Sequence, residues 1–579
     1  MITKLNRRAQ RFVPPASSVS TVTAMLVLAF ACPVHSATNT VTSLADSGAG
    51  SQRQVIAGSA AGDTIVFGVS GTITLTSGEL VVANDLTISG PGTSALAISG
   101  AGKSRIFNIN SNVTALISSL TVTNGWAPGN GGGIYNAGTL RLDNLILSGN
   151  ATPGGASGAA GQSGGQGGSG GGIWNGGTCF VNRCSFSSNH TGGGGSGGYA
   201  EYSPGSGGGG GDGGGIYNAS QMALTNCTVS NNSSGGGGNG AGSSLFAGGG
   251  GSGGRGAGVY SGGSLVLIGC TLVNNRTGSG GNGGSTGTGM PANGGPGGDG
   301  GGICAIGPFV LTNCTIWGNS CGNGGVAGSG GMGTRPPGGA GGFGGGIDYY
   351  AYATQAVVVA CTIVANSTGG GGSPGGPSGS GGGVYAGQSG PLCCFLDDIV
   401  ALNNATNAGT GPDVYGAFNS SGHNLIGATN DSSGFIASGD QTGSKASPLD
   451  PRLAPLADNG GPTLTMALLP GSPAIDAGGN MAAPPTDQRG FSRPFGPAAD
   501  IGAYELRYPA MLRISAPQAG AISIQAYGTN GQACRLLFST NLSSWAPLAT
   551  NQIGGDGTIL FYDTYAPGSA CRFYRLVMP

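Results

Sequence analysis

Residues 213–232 read GGGIYNASQMALTNCTVSNN, and this segment contains one copy of the pattern that decides the fold. Three glycines precede an aliphatic and an aromatic residue, and the segment closes on an asparagine. The same order recurs, with some departures, in seven copies whose anchors are spaced 39, 43, 43, 44, 44 and 37 residues apart. The aliphatic anchors are Ile134, Ile173, Ile216, Val259, Ile303, Ile347 and Val384. Because self-similarity at a nearly fixed period marks a repeat architecture, each copy should form one unit of an elongated stack.

Apolar and polar positions alternate within each copy. In the quoted segment, Thr228 separates the apolar Cys227 and Val229, and the equivalent positions of most other copies keep this order. A period of two predicts strands with one buried face, and like positions would stack about 4.8 Å apart in neighbouring rungs. The sequence therefore predicts an all-β fold, a right-handed parallel β-helix with a small C-terminal β-sandwich module.

The asparagine that closes each copy predicts a ladder at a corner of the solenoid. It lies 16 residues after each of the first five anchors, at Asn150, Asn189, Asn232, Asn275 and Asn319. Insertions of three and four residues, placed early in the last two copies, put the closing residues at Asn366 and Asn404. Asparagine tolerates left-handed backbone at a corner, and its amide can bond to the asparagine of the next rung. The predicted role of this ladder is structural.

Cysteine recurs at one inward position, followed by Ile399 in the last copy. The five members of this column are Cys184, Cys227, Cys270, Cys314 and Cys361. A disulfide needs specific side-chain geometry, whereas free cysteine packs well as a small apolar residue, so the pattern favours buried free thiols. Cys534 and Cys571 lie on separate predicted strands near the C-terminus, and the pattern leaves a disulfide between them open.

Gly-rich inserts of variable length separate the copies, and two interpretations stay open for them. They leave the solenoid at the same corner of each turn, as stacked loops along one flank. They are either flexible excursions or extended polyglycine layers that pack against one another.

Composition narrows the class of protein. The 579 residues include 128 glycines and 31 prolines, a content that without a period would indicate disorder. Lys and Arg number 21 against 22 Asp and Glu, which leaves a net charge of −1 and no basic stripe for phosphates. Nucleic acid is therefore not an expected partner.

The first 36 residues have the pattern of a secretory signal peptide. A basic start precedes an apolar run at residues 22–31 and a small-residue cleavage site before Ala37. No later apolar run reaches the length that a membrane-spanning helix needs. We therefore expect an extracellular or outer-surface location, and five regions along the chain. They are a signal peptide (1–36), an N-terminal cap with the first turns (37–126), the Gly-rich β-helix (127–430), a C-terminal cap (431–507) and a β module (508–579).

A resemblance to a bacterial family rests on strings near both ends of this array. They are ADSGAGS (45–51), RQ (53–54), LDPRL (449–453), NGGPT (459–463), GSPAIDAG (471–478), TDQRG (486–490), RP (493–494) and DIGAYE (500–505). Together they resemble the choice-of-anchor Q domain of bacterial surface and secreted proteins, and the resemblance covers residues 38–505. The glycine-aliphatic copies are similar to repeats of polymorphic outer-membrane proteins and other pectate-lyase-like β-helices. Residues 509–579 resemble a β-sandwich module of exported proteins from Verrucomicrobia-like bacteria. The resemblance implies an exported β-helix with no reaction assigned to the domain.

An outward aromatic column follows the anchors directly and is the candidate ligand-binding surface. Its aromatic members are Tyr135, Trp174, Tyr217, Tyr260 and Tyr385. Aromatic faces one rung apart could stack on sugar rings. The alternative, which the loop positions favour, is that these rings pack beneath the Gly-rich inserts.

A charged column four residues before the anchors contains Asp212, Arg255 and Asp299. Carboxylates beside a basic residue could serve a polysaccharide lyase or hydrolase, but a surface ion-pair ladder is the favoured interpretation. Only His190 and His423 follow the predicted signal peptide, so the sequence offers no convincing zinc site or hydrolase triad. We predict no catalytic residue, no metal and no cofactor.

The function expected from the sequence is an adhesin-like binding or structural role outside the cell. The expected partners are extracellular polysaccharides or components of the cell envelope. The alternative is a carbohydrate-active enzyme, a lyase or hydrolase, on a pectate-lyase-like fold.

Overall fold

Each repeat forms three short strands separated by two tight corners. In the quoted copy these are Ile216–Asn218, Gln221–Thr225 and Thr228–Ser230. Each strand pairs in parallel with the same strand of the repeats before and after it. The fold is therefore a parallel β-helix with three faces. The computed structural model describes residues 36–331, 335–350, 356–387, 392–407, 409–479, 483–507, 511–515, 521–527, 533–554, 558–564 and 571–578. Residues 1–35 of the predicted signal peptide lie outside the described residues, and only Ser36 is among them.

The strands of the solenoid, numbered along the chain, fall on three faces. The first face holds β4 (Leu80–Val82), β7 (Phe107–Ile109), β10 (Ile134–Asn136), β13 (Ile173–Asn175), β16 (Ile216–Asn218), β19 (Val259–Ser261), β22 (Ile303–Ala305), β25 (Ile347–Tyr349) and β28 (Val384–Ala386). The second holds β1 (Thr38–Val41), β2 (Asp63–Phe67), β5 (Leu86–Ser89), β8 (Thr114–Ser118), β11 (Thr139–Asp143), β14 (Thr178–Asn182), β17 (Gln221–Thr225), β20 (Ser264–Ile268), β23 (Phe309–Thr312), β26 (Ala356–Val359) and β29 (Cys393–Leu396). The third holds β3 (Gly71–Thr74), β6 (Leu96–Ser99), β9 (Thr121–Thr123), β12 (Ile146–Ser148), β15 (Ser185–Ser187), β18 (Thr228–Ser230), β21 (Thr271–Val273), β24 (Thr315–Trp317), β27 (Thr362–Val364), β30 (Ile399–Ala401), β32 (Leu425–Ile426) and β34 (Gln441–Thr442). A longer strand, β31 (Val414–Ser420), continues the first two faces and pairs with β33 (Ser432–Ser433).

Both ends of the chain add small structures to the solenoid. The helix α1 (Gln52–Gly58) lies beside β1 and β4, and it buries Gln52 and Ile56. Near the C-terminus, two antiparallel sheets share a small apolar core, as expected for the β-sandwich module. Their strands are β35 (Met511–Ile514), β36 (Ala521–Tyr527), β37 (Ala533–Ser539), β38 (Ala546–Gln552), β39 (Thr558–Thr564) and β40 (Phe573–Val577). Among the residues that the structure describes, no helix is both long and apolar enough to cross a bilayer.

The closing asparagines form a continuous, fully buried ladder. The Asn232 side-chain amide donates to Asn275 Oδ1 at 2.9 Å, and Asn232 Oδ1 accepts the backbone N–H of Asn189 at 2.9 Å. The same exchange runs from Asn150 to Asn366. The left-handed backbone falls on the residue before each ladder position, for example Asn231 with a φ of 54°, so the asparagine serves hydrogen bonding rather than the turn.

The last repeat is offset by one residue from the alignment that the sequence suggests. Thr362 pairs with Ile399, so Asp398 takes the place that follows Cys361, and Asn403 rather than Asn404 continues the asparagine ladder. Asp398 is fully buried, and its carboxylate accepts the Cys361 backbone N–H at 2.7 Å. The sequence alignment assumes an apolar residue at this inward position. It therefore places Ile399 there and misses the buried Asp398 by one residue.

The Gly-rich inserts are ordered and form one hydrogen-bonded body. We call residues 153–168, 192–211, 235–254, 278–298, 322–331 with 335–342, and 369–379 the glycine block. Each insert runs outward and returns, and its arms bond to the arms of neighbouring rungs. Gly195 and Gly198 donate to the carbonyls of Gly165 and Gln162 at 2.9 and 2.8 Å, a spacing of three residues on both arms. Three residues per turn, without hydrogen bonds inside an arm, is the geometry of polyproline II helices. The inserts are thus packed polyglycine layers and not separate flexible excursions.

At most inward positions of an arm, neighbouring backbone lies too close for a side chain, and the residue is glycine. A Cβ on Gly237 would lie 2.0 Å from the Gly251 carbonyl oxygen. A Cβ on the preceding Gly236 would lie 3.5 Å from its nearest neighbour, the Ser279 carbonyl oxygen. Larger residues such as Asn282 and Val326 occupy this outward position in other arms.

Residues 450–479 and 483–507 fold back along the third face instead of covering only the end of the solenoid. The Thr271 hydroxyl donates to the Leu464 carbonyl at 2.6 Å, and the Thr315 hydroxyl donates to Gln488 Oε1 at 2.6 Å. Further along, the Ala503 N–H donates to the Thr362 hydroxyl at 3.0 Å. The predicted C-terminal cap therefore covers the side of four rungs, and the threonine column of this face is buried beneath it.

The glycine requirement predicts opposite outcomes for two adjacent substitutions. Gly237→Ala should open the block locally, because its methyl group would overlap the Gly251 carbonyl. Gly236→Ala, the matched control, should change the unfolding free energy by less than about 0.5 kcal/mol. Hydrogen exchange of residues 235–254 followed by mass spectrometry would show faster exchange in the first variant only. Equal exchange in the two variants would show that the block is not close-packed.

The buried ladder predicts a large loss of stability in Asn232→Ala. The substitution leaves the N–H and amide of Asn189 without their acceptor, and each buried unpaired group costs about 1–3 kcal/mol. We expect a loss of about 3 kcal/mol or more, measured as the midpoint of guanidinium unfolding by far-UV circular dichroism. Asn239→Ala is the control, since Asn239 Oδ1 also accepts a backbone N–H from the next rung but at an exposed position. The structural role of the ladder is contradicted if both variants lose the same small amount.

Candidate functional site

The aromatic column on the first face is a stack of rings. Tyr135, Trp174, Tyr217 and Tyr260 have successive ring centroids 4.5, 6.3 and 4.8 Å apart and interplanar angles of 7°, 9° and 14°. The Arg105 guanidinium lies 5.2 Å from the centroid of the first ring. The faces of these half-buried rings are therefore occupied by one another, and mainly their edges reach solvent.

This stacking weakens the column as a platform for sugars. A sugar stacks on the open face of an aromatic ring, and a ring between two others has no open face. The column is interrupted at Cys304 and Asp348 and resumes as a separate stack in which the rings of Tyr385 and Tyr415 are 5.3 Å apart. The geometry favours a structural role for all five aromatic candidates.

The charged column is a ladder of side chains bonded to backbone rather than a ladder of ion pairs. Asp212 Oδ1 accepts the Arg255 backbone N–H at 2.7 Å, and Asp299 Oδ1 accepts the Phe343 N–H at 2.9 Å. The described side chains of Asp212 and Arg255 form no ion pair within 4.0 Å. Each of these carboxylates thus bonds to the backbone N–H of the next rung, at positions where the sequence favoured a surface ion-pair ladder. Burial raises the pKa of Asp212, while the Arg255 N–H and guanidinium oppose this rise.

Another carboxylate, that of Asp348, lies near this column. Asp348 is fully buried, its Oδ2 accepts the Cys304 thiol at 3.4 Å, and its Oδ1 has no hydrogen-bond partner. Burial and the nearby charge of Asp299 raise the pKa of Asp348 well above its usual range. Its side chain is fully buried and is therefore closed to substrate. It does not form the open groove of at least three carboxylates that a lyase or hydrolase would use.

The described part of the chain contains no cluster of side chains that could hold a metal ion. No group of three or more His, Cys, Asp or Glu side chains there is arranged to hold an ion. The carboxylates near Arg255 accept the backbone hydrogen bonds described above.

The inward cysteines are buried free thiols. Cys184, Cys227, Cys270, Cys314 and Cys361 line one column, and each thiol from Cys227 to Cys361 donates to the carbonyl two residues before it at 3.2–3.4 Å. Burial raises the pKa of Cys270 and Cys361. Buried thiols of this kind fill space in the core as small apolar side chains.

The two cysteines of the C-terminal module are also free. Cys534 is buried in the core of the module, and Cys571 is exposed. The disulfide that the sequence left open between them is not formed in the structure.

The outer tips of three successive inserts carry exposed apolar side chains that the sequence analysis did not single out. Tyr199 and Tyr202 are 63% and 73% exposed, Leu245 and Phe246 are 42% and 50% exposed, and Met290 is 76% exposed. We call these five residues the distal surface. Isolated exposed apolar residues are ordinary, but a cluster on adjacent tips is typical of an interaction site.

Hydrogen bonds between the tips hold the distal surface together. The Ser243 hydroxyl donates to the Glu201 carbonyl at 2.8 Å, and the Thr288 N–H donates to the Ser244 carbonyl at 3.0 Å. The sequence contained one signal for this surface. The glycine triplets stop at residues 199–204, 243–247 and 286–292, where bulky residues replace them.

The ring stack predicts a loss of stability when Trp174, one of its two inner rings, is removed. Trp174→Ala should lower the unfolding free energy by about 2–4 kcal/mol, since two stacked contacts and the packing of the indole are lost. Trp174→Phe, which keeps a ring between the tyrosines, should lose less than half of this. Guanidinium unfolding followed by far-UV circular dichroism measures both. An Ala variant as stable as the parent would mean that the stack does not support the fold.

No protein-family model matches the chain, and no curated protein matches it. The functional inference therefore rests on the chain itself.

Proposed function

We propose that this chain is an exported, extracellular or cell-surface β-helix with an adhesin-like binding role, and that the distal surface contacts its ligand. The observation that carries this proposal is the cluster of exposed aromatic and aliphatic side chains at the tips of three rigid inserts. A solenoid with an ordered glycine block would hold such a surface away from the body of the protein. The export signal and the resemblance to bacterial surface proteins support the location.

Polysaccharide of the extracellular space or cell envelope is the ligand class that fits the distal surface best. The rings of Tyr199, Tyr202 and Phe246 are at least half exposed, unlike the stacked rings of the first face. Exposed rings can lie against the apolar faces of sugars, and tyrosine adds a hydroxyl group for hydrogen bonding. The segments around them carry few charges, which suits a ligand with little charge.

A binding comparison tests this function. Full-length parent and a Tyr199→Ser/Tyr202→Ser/Phe246→Ser variant are assayed on a glycan array and by polysaccharide pull-down. We expect at least a tenfold loss of binding in the variant, because each lost ring removes an apolar contact with sugar. Ile436→Ser is the matched control, since Ile436 is 92% exposed but lies far along the chain from the inserts.

Product release, scored in the same assay, separates binding from catalysis. Binding that is lost only in the tip variant, with no shortened or unsaturated sugar products, supports the proposal. Products formed by the parent would replace it with the enzyme alternative. Equal binding by parent and tip variant would show that the distal surface is not the contact site.

A further inference from the structure

A surface depression lies at the corner where the first Gly-rich insert leaves the solenoid. It has a volume of about 480 Å³ and is open to solvent on one side. Trp126 and His190 line it together with Asn124, Ala151 and the backbone at residues 101–102. Neither the aromatic column nor the distal surface contributes a residue to it.

The two rings of the depression flank a small residue in one outward column. Trp126 pairs with Ala151, and Ala151 pairs with His190, so the rings lie two rungs apart with only a methyl group between them. On later rungs the column continues with Ser233, Arg276, Ser320, Ser367 and Asn404. This is therefore the position in the described column where two ring side chains flank a gap.

The gap is wide enough for one ring. Two rungs span about 9.6 Å at about 4.8 Å per rung, and a ring in contact on both faces needs about 7–8 Å between its neighbours. The gap exists because the surrounding corner positions are small, with glycines at 102, 125 and 149 lining the depression.

The polar side chains of the depression are available to a ligand. The indole of Trp126 and the imidazole of His190 make no hydrogen bond to any residue that the structure describes. The exposed Asn124 adds an amide beside them. Of the residues that the structure describes, no Asp, Glu, Lys or Arg lines the depression. Ring faces combined with an amide and an imidazole suit a neutral sugar, whose ring has an apolar face and a polar rim.

We infer that this depression binds one pyranose ring of a neutral saccharide, held between Trp126 and His190 with its hydroxyl groups toward Asn124 and the imidazole. The inference shares its ligand class with the proposed function, but it concerns a separate site on the solenoid. An open side allows the bound ring to belong to a longer chain.

Filling the gap tests this inference without removing a ligand contact. Ala151→Phe places a ring between Trp126 and His190, and Ser320→Phe makes the same change on a distant rung of the same column. The probes are neutral β-glucan, mannan and galactan hexasaccharides, titrated into each full-length protein by calorimetry and tryptophan fluorescence. We expect one hexasaccharide to bind the parent and Ser320→Phe equally, and Ala151→Phe and Trp126→Ala at least tenfold more weakly. Far-UV circular dichroism establishes that each variant is folded.

The distal variant separates this site from the proposed function. Hexasaccharide binding that survives in Tyr199→Ser/Tyr202→Ser/Phe246→Ser but not in Ala151→Phe supports the depression as a site of its own. Binding lost in the distal variant and kept in Ala151→Phe would overturn this site and leave the proposed function intact. Absence of binding by all three hexasaccharides, or equal binding by Ala151→Phe and the parent, would also overturn it.

Discussion

The constraint on which the rest of the structure depends is that most side chains meet a copy of their own position one rung away. Parallel strands in register place like beside like along the axis, so a residue type is tolerated only where it can pair with itself. Asparagine carries a donor and an acceptor on one amide, and it therefore forms the buried ladder through Asn232 and Asn275. Aliphatic residues and thiols pack on themselves, aromatic rings stack, and glycine arms exchange backbone hydrogen bonds. Charged residues repel their own copies, and they make up only 7% of the chain.

Two buried carboxylates lie where the residue type of a ladder changes. Asp413 follows Asn403 in the asparagine ladder, and its Oδ1 accepts both the backbone N–H and the side-chain amide of Asn403. Asp398 ends the cysteine column and accepts the backbone N–H groups of Cys361 and Leu396. Each of these two carboxylates accepts two N–H groups, and at Asp398 the hydrogen bonds continue to the next rung, since its backbone N–H donates to Asn424 Oδ1 at 3.0 Å. Both are buried, and burial raises the pKa of Asp413 to about 6 against the opposing hydrogen bonds from Asn403.

The same constraint explains how much could be predicted from the sequence. The strand columns, the asparagine ladder and the inward cysteines repeat the same residue types, so their period is visible in the order of the amino acids alone. The offset of the last repeat could not be predicted, because a buried carboxylate at Asp398 departs from its column. The fold-back of residues 450–479 and 483–507 rests on single contacts such as that between Gln488 and Thr315, and contacts between distant segments leave no period. Whether the inserts are ordered or flexible depends on the close approach of separate arms, which composition alone does not reveal.

The candidate sites predicted from the sequence lie in columns where a repeat is visible. In the structure, these columns are the positions least available to a ligand. A column in which each member contacts its neighbours has already used its ring faces and hydrogen-bonding groups. The distal surface and the gap at Ala151 are different, because there the residue types change from rung to rung. Tyr202, Phe246 and Met290 do not repeat one another, and Trp126 and His190 have only Ala151 between them. In a solenoid of this kind, binding capacity is therefore expected where self-pairing stops, and departures from the repeat are better guides to function than the repeat itself.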